Sequence, residues 1–182
     1  LKITDLFCQY NELNSLDLSH NLNLTNLFCY ENSLTILDLS QNTFLRNINC
    51  KFNLLSRLDL SKNIDLIWLD CSFNFLACLN LKNGNNINLF HFYSLYNDNL
   101  FCIEVDDVNW AMSNFLNVDS QSSFSTNCVN YCSSLGISAL NKIDKQVVKI
   151  VDLLGNETDF KTNCVLYEIY NDGSVEKVLK FE

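Results

Sequence analysis

The 182-residue chain has no proline, only four glycines and only two histidines. The usual turn residues are therefore scarce. Asparagine has to take over, because it tolerates left-handed turns and caps backbone groups with its own amide. Positive charge is scarce too: twelve Lys and Arg face 21 Asp and Glu, for a net charge of −9. A phosphate-neutralising surface needs clustered cations. No basic block occurs, which argues against nucleic acid and anionic lipid as partners. No apolar run reaches the ~20 residues needed to cross a bilayer, so no membrane-spanning segment is expected. Nor does a charged start, an apolar run and a small-residue cleavage site open the chain; beginning in mid-pattern at Leu1, it reads as mature or truncated. Hydrophobic residues are plentiful at 48%, with mean hydropathy +0.03. That is ample for one elongated domain plus a small module. Nine cysteines are many and odd in number. In a small exported protein this suggests a disulfide framework, but for most of them the spacing argues otherwise.

Cys8, Cys29, Cys50 and Cys71 follow one another at a constant step of 21 residues, and Asn11, Asn32, Asn53 and Asn74 keep that step. So do Leu16-Asp17-Leu18, Leu37-Asp38-Leu39, Leu58-Asp59-Leu60 and Leu79-Asn80-Leu81. Ahead of each Cys stand Ile3/Leu6, Leu24/Leu27, Leu45/Ile48 and Leu66/Leu69, and a weaker fifth copy is expected with Ile87, Phe90 and Phe92 in register. The unit L-x-x-L-x-C-x-x-N-x-L resembles the leucine-rich repeat, whose period is roughly 20–29 residues. Its physics is that of a solenoid. Leu27 and Cys29 lie two apart and share one strand face. Stacked copies form a parallel sheet that buries this face, and ~3 or more are needed for stability. The Leu-Asp-Leu step predicts a second short strand on the other side of each coil. Each Cys is a compact apolar filler, and each Asn turns the chain inward while bonding backbone groups that would cost roughly 1–3 kcal/mol if buried unpaired. Asn32→Ala should thus destabilise more than Asn47→Ala at a position expected to be exposed. In-register side chains on parallel strands suit disulfide torsions poorly, so the four laddered cysteines are expected to be buried thiols.

The predicted architecture is mainly β: leucine-rich repeats over 1–98, a C-terminal cap over 99–132, a Ser-rich linker over 133–141 and a small antiparallel β module over 142–182. The cap segment abandons the 21-residue step, as a solenoid end must to hide its last apolar edge. Cys102 and Cys128 bracket it outside the ladder; if bridged, they would stabilise the end by about 3 kcal/mol on a loop-entropy account. The phrases Leu100-x-Cys102-Ile103-x-Val105-Asp106-Asp107 and Phe124-Ser125-x-x-Cys128 resemble the flank that follows leucine-rich repeats in secreted and surface proteins of the Bacteroidetes. Asp98 stands where that family often has proline. In the tail, Val148, Ile150 and Asp152 alternate, Val165–Tyr170 reads as a strand, and Asn171-Asp172-Gly173 is a hairpin turn signal before a returning strand, Val175–Phe181. The Val151–Glu157 corner, the Leu166-Tyr167 strand, the Asp172-Gly173 turn and the lysine-bearing last strand resemble the C-terminal sorting domain of the type IX secretion system. The likeness covers roughly 37 residues of a fuller pattern: the leading Pro-Asn-Pro strand is missing, and Thr162-Asn163 replaces the usual Pro-Gly. It implies export by that machinery, engaged through residues 142–182, and a place in the medium or at the outer-membrane surface of a Gram-negative bacterium.

In such repeats the residues between the inward positions face solvent on the concave sheet. The 21-residue step places Asp5, Asn26, Asn47, Trp68 and Leu89 in one row. Phe7, Phe28, Asn49, Asp70 and His91 form a second, and Gln9, Tyr30, Lys51, Ser72 and Tyr93 a third. Exposed aromatics commonly mark an interaction site. The candidate ligand-binding residues are therefore Phe7, Phe28, Tyr30, Phe52, Trp68, His91 and Tyr93, for a protein or glycan partner. The competing reading for the strand-end aromatics Tyr10, Phe52 and Phe73 is that they pack along the turn and line the core. An enzyme is disfavoured. No G-x-S-x-G, H-E-x-x-H, P-loop or calcium-loop spacing occurs, and His20 and His91 occupy unrelated repeat positions. Cys128 and Cys132 lack a second pair for zinc, and Asp106-Asp107 reads as a solvated turn rather than a calcium site. No metal or cofactor is expected. Asn23-Leu24-Thr25 and Asn156-Glu157-Thr158 match a glycosylation pattern that would not matter in a bacterium. Two alternatives stay open: a structural fragment of a larger repeat adhesin with no ligand site of its own, and a hydrolase-associated domain.

Overall fold

The computed structural model describes residues 2–128 in full and, beyond them, the backbone of three strands. By its internal packing the chain divides into two compact units, Leu1–Ser134 and Leu135–Glu182. The strands of the first unit are, in chain order, β1 (Asp5–Phe7), β2 (Asn26–Phe28), β3 (Asn47–Asn49), β4 (Arg57–Asp59), β5 (Trp68–Asp70), β6 (Cys78–Asn80), β7 (His91–Tyr93), β8 (Cys102–Glu104) and β9 (Ser123–Ser125). A short helix, α1 (Val108–Asn114), lies between β8 and β9. The second unit contains β10 (Val147–Val151), β11 (Val165–Tyr170) and β12 (Val175–Leu179), an antiparallel sheet in sequential order. Beyond Val151, the predicted corner ending at Glu157 lies outside the described residues, as does the predicted turn at Asn171–Gly173.

The first unit is a parallel-sheet solenoid. One sheet runs β1-β2-β3-β5-β7 and the other β4-β6-β8-β9, so the chain crosses from one to the other within a coil. Leu6, Leu27, Ile48, Leu69 and Phe92 are register partners along the first sheet, as are Leu58, Leu79, Ile103 and Phe124 along the second. Their side chains meet in one continuous core, where Leu27, Ile48, Leu69, Leu79 and Ile103 are wholly buried. Full burial of such a side chain contributes on the order of 1.5–3 kcal/mol. The second short strand expected from Leu-Asp-Leu forms from the third winding onward, at β4 and β6. The second sheet continues beyond residue 98 through β8 and β9.

The asparagine ladder carries the turns. Asn53 Nδ2 donates to the carbonyls of Cys29 (3.0 Å) and Cys50 (3.1 Å), while its Oδ1 accepts from Leu34 N at 3.0 Å. Asn32 and Asn74 repeat this pattern one winding before and after. The left-handed backbone, however, is held not by these asparagines but by the residue before each: Tyr10, Glu31, Phe52, Phe73 and Tyr96 have φ of 52–61°. For a non-glycine residue this costs on the order of 1–2 kcal/mol. The asparagine bonds on one side and ring stacking on the other hold it in place. Phe52 stacks on Phe73 at 4.2 Å between centroids, and Phe73 on Tyr96 at 4.1 Å.

Two expectations about the end of the repeats are corrected. The fifth copy steps by 23 residues, not 21: His91 is the partner of Trp68 and Tyr93 that of Asp70. Leu89 and Phe92 are buried, whereas Ile87 and Phe90 are 65% and 71% exposed. The extra residues sit in a loop with Gly84 at φ 81° and a single 3-10 turn, Asn86–Asn88. Asp106 pins that loop by accepting from Gly84 N (2.9 Å) and Asn86 N (3.1 Å), and Asp107 caps α1 by accepting from Trp110 N (3.1 Å). The Asp106-Asp107 pair is therefore engaged in structure rather than forming a solvated turn. Helix α1 buries Ala111, and the residue after it, Phe115, packs edge-on against Phe92 at 4.8 Å and Trp110 at 5.1 Å. Cys102 and Cys128 form a disulfide, with Cα atoms 5.9 Å apart.

Candidate functional site

On the outer face of the first sheet, the true rows are Asp5–Asn26–Asn47–Trp68–His91 and Phe7–Phe28–Asn49–Asp70–Tyr93. Leu89 therefore leaves the face. His91 stands beside Trp68 rather than Asp70, and Tyr93 beside Asp70 rather than Ser72. Phe7 stacks on Phe28 at 5.2 Å, and Phe28 on Trp68 at 5.9 Å with their planes 22° apart. Phe28 and Trp68 belong to strands with β3 between them. Their rings close over a middle strand that presents only asparagines, and Asn49 there is 7% exposed. Three of the predicted residues thus form one aromatic run, with Phe7 at its open end, 62% exposed.

Tyr30 and Phe52 form a second group. Lys51 Nζ lies 5.6 Å from the Tyr30 ring centre and 5.8 Å from that of Phe52, and 4.0 Å from Asp70 Oδ2. A partly exposed ion pair at that separation contributes little, but with the two rings it holds the lysine across the face. The strand-end aromatics do pack along the turn, as the stacks above show, yet they do not line the core: Tyr10, Phe52 and Phe73 are 66%, 41% and 39% exposed.

The sequence reading missed a side-chain ladder along the first row. Asn26 Nδ2 donates to Asp5 Oδ1, and Asn47 Nδ2 donates to Asn26 Oδ1 at 2.6 Å. Asp5 Oδ2 also accepts from Thr4 Oγ1 at 2.6 Å, and the Thr4 and Asn26 bonds lower the Asp5 pKa. Asn47 is accordingly half-buried and bonded, not the exposed position expected. The 21-residue recurrence of Asn26 and Asn47 after Asp5 was the signal available.

Beneath this face lies the cysteine ladder. Cys29, Cys50 and Cys71 are wholly buried free thiols, and Cys8 is a half-buried one. Burial pushes the Cys29 thiol up to about 12 and raises those of Cys50 and Cys71 strongly. Thiols held protonated are poor nucleophiles and poor metal ligands. Among the described residues no group of three His, Cys, Asp or Glu is placed to hold a metal ion, and no helix among them is long and apolar enough to cross a membrane. Cys78, on β6, is disulfide-bonded; its place outside the 21-residue ladder was the only sequence hint.

This register and geometry define a leucine-rich-repeat-like solenoid, the architecture of a repeat binding scaffold. No protein-family model matches the chain, and no curated protein does. Among solved structures, the functional domain of InlJ from Listeria monocytogenes, described as including a cysteine ladder, is similar at 25% identity and a TM-score of 0.49. The match covers 67% of this chain and 29% of that one. At that score it adds no argument to the strand register.

Proposed function

We propose that this protein is a recognition module, working outside the cell that makes it, whose first sheet binds a protein or glycan ligand. The observation that carries this reading is the aromatic run Phe7–Phe28–Trp68 on a parallel sheet, exposed at Phe7 and half-buried at Phe28 and Trp68, and flanked by Tyr30 and Phe52. Fixed aromatic side chains offer large contact area at low ordering cost, and five strands at ~4.8 Å spacing present them without adjustment. His91 and Tyr93 extend the face toward its far edge. The test is a protein and glycan array probed with the full chain, followed by Trp68→Ala and Tyr30→Ala. Loss of the hits in either variant supports the reading; hits untouched by both overturn it.

The route outward is part of the same proposal. The motifs of residues 151–182 resemble a type IX sorting domain, and the antiparallel sheet β10–β12 is compatible with one. A Bacteroidetes source and a surface or released location follow from that resemblance. Residues 142–182 fused to a reporter should reach the surface of a type IX-competent host; retention in the periplasm would count against it.

A further inference from the structure

The amide ladder of the first row has a direction. An ionised carboxylate can only accept hydrogen bonds, so Asn26 must turn its Nδ2 toward Asp5, as it does. Its Oδ1 then faces β3, and Asn47 must turn its own Nδ2 back to meet it. The next position in the row is Trp68, which has no amide to continue the ladder and whose single donor, the indole N–H, is not bonded to Asn47. Asn47 Oδ1 is left facing Trp68 and accepts no hydrogen bond among the described residues. Two residues along β5, Asp70 lies on the same face. One of its oxygens accepts from Ser72 N at 3.1 Å, and the other has only Lys51 at 4.0 Å. Asn49, the remaining amide nearby, is buried.

We infer that the surface around Trp68 is a cation subsite, built to seat an arginine or lysine side chain of a partner peptide against the indole, with Asn47 Oδ1 and the Asp70 carboxylate accepting its protons. This rests on the recognition reading and specifies its ligand chemistry. An aromatic ring beside the open Asn47 Oδ1 and the Asp70 carboxylate, whose second oxygen holds Lys51 only loosely at 4.0 Å, complements a group that is all donor and positively charged. A sugar hydroxyl both donates and accepts, and would leave the acceptor-rich site half matched. The net charge of −9 favours a cationic partner at long range. Asp5, three strands from Trp68, is the positioning residue: it never meets the ligand but orients both amides.

The test uses the full chain, a fluorescein-labelled Gly-Arg-Gly-Arg-Gly peptide, its glutamate counterpart and a neutral glucose hexasaccharide. Binding is read by anisotropy or calorimetry in 0.5 M salt, where screening reaches only about 4 Å. The arginine peptide should bind more tightly than the other two. Trp68→Leu and Asn47→Leu should each weaken it about tenfold, the scale of a desolvated cation–π contact or charge-assisted bond. Asp5→Asn, which lets the amides reverse, should weaken it about threefold, while Asp17→Asn, an exposed carboxylate outside these rows, leaves it unchanged; melting temperatures confirm that each variant folds. Equal binding of the glutamate peptide, preference for the sugar, no arginine binding, or Asp5→Asn behaving like Asp17→Asn would overturn the inference. Array hits lost in Trp68→Ala despite that result would leave the recognition face standing and remove only its cation preference.

Discussion

In the windings that contain Leu6, Leu27, Ile48 and Leu69, the residue two places on is cysteine; in the winding that contains Phe92, it is serine. The first four follow each other by 21 residues, the fifth by 23. In the regular windings the buried ladder consists of thiols with little hydrogen bonding, and the asparagines hold the backbone. At the far end, Ser94 takes the cysteine position with its hydroxyl buried and unbonded, while Asn97 keeps the asparagine role, donating to Cys71 O at 3.2 Å and Ser94 O at 3.0 Å. Side chains and a covalent link replace the missing next coil. Asp119 accepts from Tyr96 N and Asn97 N, Ser122 Oγ donates to Leu100 O, and Cys102 is tied to Cys128. The comparison teaches that the asparagine is indispensable to the winding and the thiol is not. A small apolar filler can be replaced at modest cost, whereas an amide that satisfies three backbone groups cannot.

Alkali should separate the two regions most sharply. Each buried thiol has its folded pKa raised above the unfolded value near 9, to about 12 for Cys29. The protonated form is favoured in the fold, so its contribution is complete below pH 9 and is lost as pH rises toward 12. The slope reaches at most about 1.4 kcal/mol per pH unit for each thiol, and the three buried thiols act in the same direction. Chemical denaturation from pH 8 to 11 should show this steep limb, and a variant with Cys29, Cys50 and Cys71 all changed to Ala should flatten it. Reduction should act instead at the far end: Cys102→Ala with Cys128→Ala should cost about 3 kcal/mol, in line with a loop of that order, and leave the alkaline slope unchanged.

Asn53→Ala should cost about 2–3 kcal/mol, because it leaves Leu34 N buried without a partner and strips one donor each from the carbonyls of Cys29 and Cys50, which keep only Asn32 and Asn74. Asn11→Ala, at an exposed member of the same ladder bonding only Cys8 O and Gln9 O, should stay within about 0.5 kcal/mol. Equal losses would show that the ladder contributes through turn propensity rather than through satisfied backbone groups. The smallest effect has the opposite sign. Ser94→Cys should stabilise by about 1 kcal/mol, by replacing an unbonded buried hydroxyl with the apolar filler of the regular windings.

The windings were legible because their chemistry is repeated: Cys29, Asn32 and Leu37 recur until periodicity alone defines which side chains meet. The second strand was legible for the same reason. The binding face was legible only as far as the step held. Two residues inserted in the loop at Gly84 moved His91 and Tyr93 by a full position pair, so the pairing of His91 with Asp70 drawn from a constant period was wrong. The aromatics at Phe52 and Phe73 illustrate a different limit. A left-handed position preceding each asparagine could be suspected from the turn, but nothing local said that the rings would stack on one another outside rather than enter the core.

What the sequence determined by itself was therefore the winding: a 21-residue hydrophobic period permits one way of burying Leu27, Ile48 and Leu69 together, and stacking follows from that burial. Only the tertiary structure decided which residues become neighbours across the coils. Those neighbours gave the ladder from Asp5 to Asn47 its direction, brought Phe28 and Trp68 together over β3, and closed Cys102 on Cys128. The physical reason is that burial depends on a residue's own pattern, whereas a hydrogen bond, a ring stack or a disulfide depends on where two separate stretches of chain come to rest.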